Sequence, residues 1–158
     1  MRLARAFGAP RVLESVSAAL VPRGRTTEAL RDLYEARSAS GFHGETCIAE
    51  LLSTEDSGTI FHYHIDHQGS LVMGCCAGLS PATIDELHPR ITVETHPVFY
   101  RLCTEGPVGL MEMASNEFGY RERSDGYLSK CDLCFDVRRH LRGRGDFPEL
   151  RPAAFYAA

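Results

Sequence analysis

The sequence predicts an α+β fold, a β-hairpin with several helices, from two kinds of pattern. One run alternates and closes through a turn onto a second short run; three later runs repeat apolar residues at helical spacing. The first run is "TIFHYHID" (residues 59–66). Ile60, His62, His64 and Asp66 fall on one face of it, and Phe61, Tyr63 and Ile65 on the other. "DHQG" supplies the turn: Asp66 can bond the backbone ahead of it, and Gly69 is free to take positive φ. "SLVMGC" (residues 70–75) returns the chain and delivers Cys75 and Cys76 to the end of the second strand.

The helical runs come later. "HPVFYRLCTEG" (residues 96–106) turns Val98, Phe99, Leu102 and Cys103 inward and ends on glycine. "PVGLMEMASNEF" (residues 107–118) does the same with Leu110, Met111, Ala114 and Phe118. "GYLSKCDLCFDVRRHL" (residues 126–141) carries Leu133, Val137 and Leu141 at i, i+4, i+8. "GRG" (residues 143–145) is too short for a phosphate loop and reads as the terminator of that helix.

Elsewhere the signals are shorter. "RVLESVSAALV" (residues 11–21) suits a strand, and "PRGR" (residues 22–25) breaks it. "TTEALRDLYEAR" (residues 26–37) predicts a helix with Leu30, Leu33, Tyr34 and Arg37 on one face, and Thr26 and Thr27 available as caps. "SASGFHG" (residues 38–44) reads as a loop dividing the chain into residues 1–44 and 45–158. Ser80 and Pro81 open a short helical turn through Leu87. The tail "DFPELRPAAFY" is expected to pack back through Phe147, Leu150, Phe155 and Tyr156.

The totals narrow the function. A chain of 158 residues buries enough surface for a core without help from metal. Its net charge of -4 argues against a nucleic-acid partner. No apolar run reaches the roughly 18 residues of a membrane span, and "MRLARAFGAPRVLESV" lacks the apolar core of a signal peptide. The expectation is a cytoplasmic chain that binds neither membrane nor nucleic acid, its thiols reduced and available for metal or redox chemistry.

Six cysteines are present: Cys47, Cys75, Cys76, Cys103, Cys131 and Cys134. Cys131 and Cys134 form a CxxC at the start of a helix, where exposed N–H groups and the positive dipole end favour thiolates. Asp132 and Asp136 oppose that effect. A thioredoxin-type pair belongs after the first strand of a βαβ unit, whereas this CxxC follows helices and a loop. A metal site needs two further ligands. The hairpin ends can bring Cys47 towards Cys75 or Cys76, of which one centre takes one, since adjacent strand residues point opposite ways. An all-thiolate set suits zinc or an iron–sulfur cluster. Zinc ribbons present two close pairs, and the wide separation of Cys47 from Cys76 tips the balance towards a cluster. Cys103 lies on a buried helical face and reads as core. His62, His64 and Asp66 read better as the outer face and turn of the hairpin than as ligands. Arg23 and Arg25 read as a solvated loop, and Arg138 and Arg139 either as surface charge or as an offset to a cluster.

Taken together, "HIDHQGSLVMGCCAGLS" (residues 64–80), "EGPVGLMEMA" (residues 105–114), "GYLSKCDLCFDVRRHL" and "FPELRPAAFY" (residues 147–156) resemble the C-terminal part of radical S-adenosylmethionine proteins. The likeness is to those with an auxiliary-cluster extension of the SPASM or twitch type. Their pattern runs from "IDPxG" to "CAG", then "KCxLCxxxRxxL" and "FPELxPxxFY". The resemblance spans roughly Cys47 to Tyr156. It implies an auxiliary 4Fe–4S cluster held by Cys47, Cys76, Cys131 and Cys134, with Cys75 the alternative to Cys76. It also implies a remnant strand–helix of a partial (β/α) barrel in residues 1–44, ahead of the cluster domain in residues 45–158. The family's radical-generating signature, CxxxCxxC, does not occur here. The expectation is therefore a truncated relative or the tail of a longer protein, not catalytic alone. Its partner would be the missing radical-generating domain, and S-adenosylmethionine would bind only with that barrel. The cluster would serve electron transfer or the positioning of a peptide or small-molecule substrate. A structural zinc module used for interaction is the alternative.

Overall fold

The structure is a computed structural model that describes residues 22–24, 26–51, 63–74, 76–86 and 90–157. Within them the fold is mixed α and β. Helix α1 (Thr26–Leu30) runs into a 3-10 turn (Arg31–Leu33), and a second 3-10 turn (Ala39–Phe42) precedes the short helix α2 (Ile48–Leu51). Strands β1 (Tyr63–Ile65) and β2 (Leu71–Met73) form an antiparallel hairpin, followed by helices α3 (Pro97–Thr104), α4 (Gly106–Phe118) and α5 (Lys130–Arg142). The chain closes on a 3-10 turn (Ala153–Tyr156). Among the described residues, no helix is long and apolar enough to cross a membrane.

The hairpin follows its turn chemistry. Asp66 Oδ1 accepts from the N–H groups of Gln68 and Ser70, each at 2.9 Å, and Gly69 takes φ +77°. Tyr63 pairs with Met73, His64 with Val72 and Ile65 with Leu71. Asp66 is thus committed to the turn. His62, Cys75, Arg25 and the expected strand at residues 11–21 lie outside the described residues.

Helices α3, α4 and α5 supply about half of the core among the described residues. Val98, Phe99, Leu102 and Cys103 are buried on α3, and Leu133, Val137 and Leu141 on α5 are fully buried. Leu110 and Ala114 are buried on α4, while Met111 and Phe118 pack against the core's edge. The tail returns as expected, burying Phe147, Leu150 and Tyr156. Gly143 closes α5, its N–H bonding back to the carbonyl of His140.

Four local expectations are corrected. The helix expected over residues 26–37 stops after one turn of α-helix. Arg37 is drawn instead into a two-way backbone pairing with Tyr127, at 2.8 and 2.9 Å. The hydroxyls of Thr26 and Thr27 donate back to the carbonyls of Arg23 and Gly24 rather than capping the helix ahead. The segment expected as a loop at residues 38–44 contains a 3-10 turn whose Ala39 and Phe42 are wholly buried. Ser80 and Pro81 open no helix: Ser80 Oγ donates to the Ala82 carbonyl, and Leu71 N–H donates to the same carbonyl, so the segment runs beside the hairpin.

Helix α3 has Pro97 in its first turn, and no side chain of its own caps it. Glu149 supplies the cap from the tail. Its Oε1 accepts from Val98 N–H at 2.8 Å, and its side chain is fully buried. Burial raises the Glu149 pKa, against the lowering effect of the N–H groups of Val98 and Phe99 and of nearby His96. A carboxyl whose pKa is higher folded than unfolded stabilises the fold fully below its unfolded pKa, and that contribution is lost as pH rises through the folded value. Glu149→Gln keeps an acceptor and removes the ionisation. In urea unfolding from about pH 4 to about pH 8, the Glu149→Gln variant is expected to gain stability relative to wild type as pH rises. Parallel stability curves would contradict the assignment.

Candidate functional site

The CxxC is placed by the start of α5. Ser129 caps the helix, its Oγ accepting from Asp132 N–H at 3.1 Å. Cys131 and Cys134 then lie one turn apart on one face. Lys130, just before them, donates from Nζ to the Thr46 carbonyl at 3.0 Å. That bond carries the neighbouring Cys47 to the same end of α5. Cys47 is fixed further by its N–H to the Leu102 carbonyl at 3.1 Å. Arg138, two turns into the helix, donates to the Ala77 carbonyl at 3.1 Å and so holds the residue next to Cys76.

The outcome is a cavity of about 260 Å³ whose walls include Cys47, Cys76, Cys131 and Cys134. Three segments far apart in sequence contribute these thiols. Cys47 and Cys134 are buried, and Cys76 and Cys131 are partly so. Cys103 lines no part of the cavity; it is buried on α3, and burial pushes its thiol up to about 11. His64 is exposed on the hairpin, away from the cavity lining.

The electrostatics of the cavity are one-sided. Arg23, Lys130 and Arg138 line it, and the described residues around it include no carboxylate. Burial pushes the Cys76 thiol up to about 12; Cys134 and Cys131 add to the rise, while Arg138 and Arg23 oppose it. Arg138 is itself buried, only 6 % exposed. Burial disfavours its charge, yet Cys134, Tyr156 and Cys76 raise its pKa above the ordinary guanidinium value. The guanidinium donates to Tyr156 Oη at 3.0 Å as well as to Ala77. Its Nε is buried without a hydrogen-bond partner among the described residues.

Asp132 and Asp136, expected to work against thiolate formation, turn away from the cavity. Asp132 Oδ2 accepts from Arg123 at 2.9 Å and from Leu128 N–H at 3.0 Å. Asp136 accepts from the Tyr120 hydroxyl at 2.7 Å and from Arg139 at 3.1 Å. These ion pairs border a second cavity of about 610 Å³, of mixed polar and apolar lining, which shares Gly24, Phe135 and Phe155 with the thiol cavity.

The four expected cysteines therefore line one volume. Among the described residues, no three His, Cys, Asp or Glu side chains are grouped so as to hold a single metal ion. Sequence reasoning left Arg138 undecided between surface and site, and missed Tyr156 as its support and Lys130 as the anchor of the Cys47 segment. The available signal was spacing: Arg138 falls at i+7 from Cys131 and i+4 from Cys134, on their face of the helix. No family model, curated protein or solved structure matches the chain.

The tail reaches Arg138 through Gly78, whose φ is +78°. A Cβ there would overlap the Phe155 ring and crowd the Tyr156 hydroxyl, which donates to the Gly78 carbonyl. Gly78→Ala is expected to lose at least about 1 kcal/mol from the left-handed backbone alone, with more from the displaced tail. Urea unfolding reads the loss; an unchanged midpoint would show that the close approach is not made.

Proposed function

We propose that the four-thiol cavity holds a 4Fe–4S cluster through Cys47, Cys76, Cys131 and Cys134. On this reading residues 45–158 are the auxiliary-cluster domain of a radical S-adenosylmethionine protein of the SPASM or twitch type. Residues 1–44 are then the remnant of its partial (β/α) barrel. One observation carries the reading: cysteines from three distant segments line a single cavity. Two more support it. Among the described residues the cavity's charged lining is cationic, which suits an anionic metal–thiolate group. Among the described residues Arg138 also keeps a buried Nε–H without a hydrogen-bond partner, as Arg123 does, but it faces thiols where Arg123 faces carboxylates. The cavity's 260 Å³ is several times the roughly 30 Å³ share of one water. Thiols framing such a volume suit a cluster better than the close tetrahedron of about 2.3 Å bonds that zinc requires.

When bound, such a cluster supplies one-electron transfer. The chain's own residues do the rest. The four cysteines would complete its ligation, which favours electron transfer or structure over direct contact with substrate. Leu51, Leu79, Leu102 and Phe155 give the cavity apolar walls that limit water. Lys130 and Arg138 fix the two cysteine segments that α5 does not carry. No CxxxCxxC occurs in the chain, so radical generation belongs, on this reading, to a partner domain.

Anaerobic reconstitution with iron and sulfide tests the proposal. The expected product is brown and holds about four iron and four sulfide per chain. Cys131→Ser and Cys134→Ser are each expected to lose most of that iron, and Cys103→Ala to keep it. Colourless protein carrying one zinc would replace the proposal with the structural zinc module. Protein that takes up no metal, with every thiol reactive in native buffer, would end both.

A further inference from the structure

Arg138 is the residue of the thiol cavity whose placement is least explained by packing. It is 6 % exposed, and the described residues give it no salt bridge. Its identified oxygen partners, the Ala77 carbonyl and the Tyr156 hydroxyl, are both neutral. Beyond them it lines the same cavity as Cys134 and Cys76, whose thiolates would favour its charge. Taking a guanidinium out of water is costly unless an opposite charge stands beside it. Arg123 shows what a structural solution looks like here, since it meets the Asp132 carboxylate at 2.9 Å. Among the described residues, the groups around Arg138 able to carry negative charge are the sulfurs of the cavity and the phenol of Tyr156.

We infer that Arg138 is a positioning residue that sets the electron affinity of the group held by the four cysteines. It does so by a fixed positive charge held in the wall that Cys134 and Cys76 also line, with Tyr156 and the Ala77 carbonyl holding the guanidinium in place. The inference rests on the cluster reading above. Hydrogen bonds to sulfur and nearby charge both govern the potential of such groups. Each electron added makes the group more negative, so a cation held beside it favours the reduced form. Lys130 and Arg23 stand at the same cavity, but Lys130 is tied to the Thr46 carbonyl, and the neutral anchors of Arg138 leave its charge directed by the sulfurs.

The test is the midpoint potential of the reconstituted full-length chain, followed by electron paramagnetic resonance, in wild type, Arg138→Met, Arg138→Lys and Tyr156→Phe. Arg138→Met is expected to lower the equilibrium constant for reduction at least tenfold, a downward shift of about 59 mV for one electron. Arg138→Lys keeps the charge and loses the planar fork, so its potential falls between those of Arg138→Met and wild type. Tyr156→Phe loosens the guanidinium and shifts the potential the same way by less. If Arg138→Met does not fold or load, the other two variants decide. Potentials equal to wild type in loaded Arg138→Lys and Tyr156→Phe protein would overturn the inference while leaving the cluster reading intact. Wild-type protein that binds no iron would instead remove the reading itself. A purely structural arginine would change stability or iron content without moving the potential of the protein that remains loaded.

Discussion

Helix α5 and its cap tie the separate segments of the chain together through donors that each reach a different backbone carbonyl. Ser129 Oγ donates to Pro22 at 2.7 Å, Lys130 Nζ to Thr46 at 3.0 Å and Arg138 to Ala77 at 3.1 Å. Thr46 precedes Cys47, and Ala77 follows Cys76. These bonds therefore place two cysteine-bearing segments relative to the two cysteines that α5 itself carries. Hydrogen bonds from charged donors are worth about 1.5–3 kcal/mol each, enough for two of them to hold short irregular segments that have little core of their own. The cavity is a consequence of that anchoring. Helix α3 adds a second attachment for both segments, through the Leu102 carbonyl at Cys47 and His96 at the Pro81 carbonyl.

The same helix keeps incompatible chemistry apart by facing it in three directions. Leu133, Val137 and Leu141 form the apolar side, all fully buried. Asp132, Asp136 and Arg139 form a second side, where the two carboxylates meet Arg123, Arg139 and the Tyr120 hydroxyl. Cys131, Cys134, Phe135 and Arg138 form the third, which lines the thiol cavity. A period of 3.6 residues puts i, i+3, i+4 and i+7 on one face, so sulfur and carboxylate can alternate in sequence without meeting in space. Asp132 sits between the two cysteines in the chain, yet its charge is directed to Arg123 and the backbone of Leu128.

This separation also marks how far the sequence could be read. The hairpin was legible because its determinants are local: Asp66 and Gly69 act within four residues of themselves. The buried faces of α3 and α5 were legible because periodicity alone assigns them. What failed was whatever depended on partners distant in the chain. The helix expected at residues 26–37 loses its end to Tyr127, in the loop that leads into α5. Ala39 N–H is held by Glu122 Oε1, so a stretch of serine and glycine that looks like open loop is drawn into the core with Phe42. Glu149 carries no local signal in its proline-punctuated tail, and its role as the cap of α3 is set by folding, not by spacing. Arg138 and Arg139 are adjacent and alike in sequence. Only the third dimension shows that one is buried beside thiols and the other exposed beside Asp136.

Two arginines show why the same residue type does different work on two sides of one helix. Arg123 faces carboxylates, with Asp132 at 2.9 Å and Asp125 and Asp136 at 3.8 Å. Charge balance is complete within the protein, and the pairing serves to fix the loop ahead of α5. Arg138 is the more deeply buried of the two, and its oxygen partners among the described residues are neutral. Its charge is balanced only when the neighbouring sulfurs become anionic, and burial opposes that at Cys76, whose thiol is pushed up to about 12. Each of these groups thus raises the cost of leaving the other uncompensated. Cationic wall and thiols reach a favourable state together when the sulfurs give up their protons, as metal–thiolate ligation requires. Among the described residues, no carboxylate completes the charge balance of the buried arginine, and the sulfurs beside it are the groups that can.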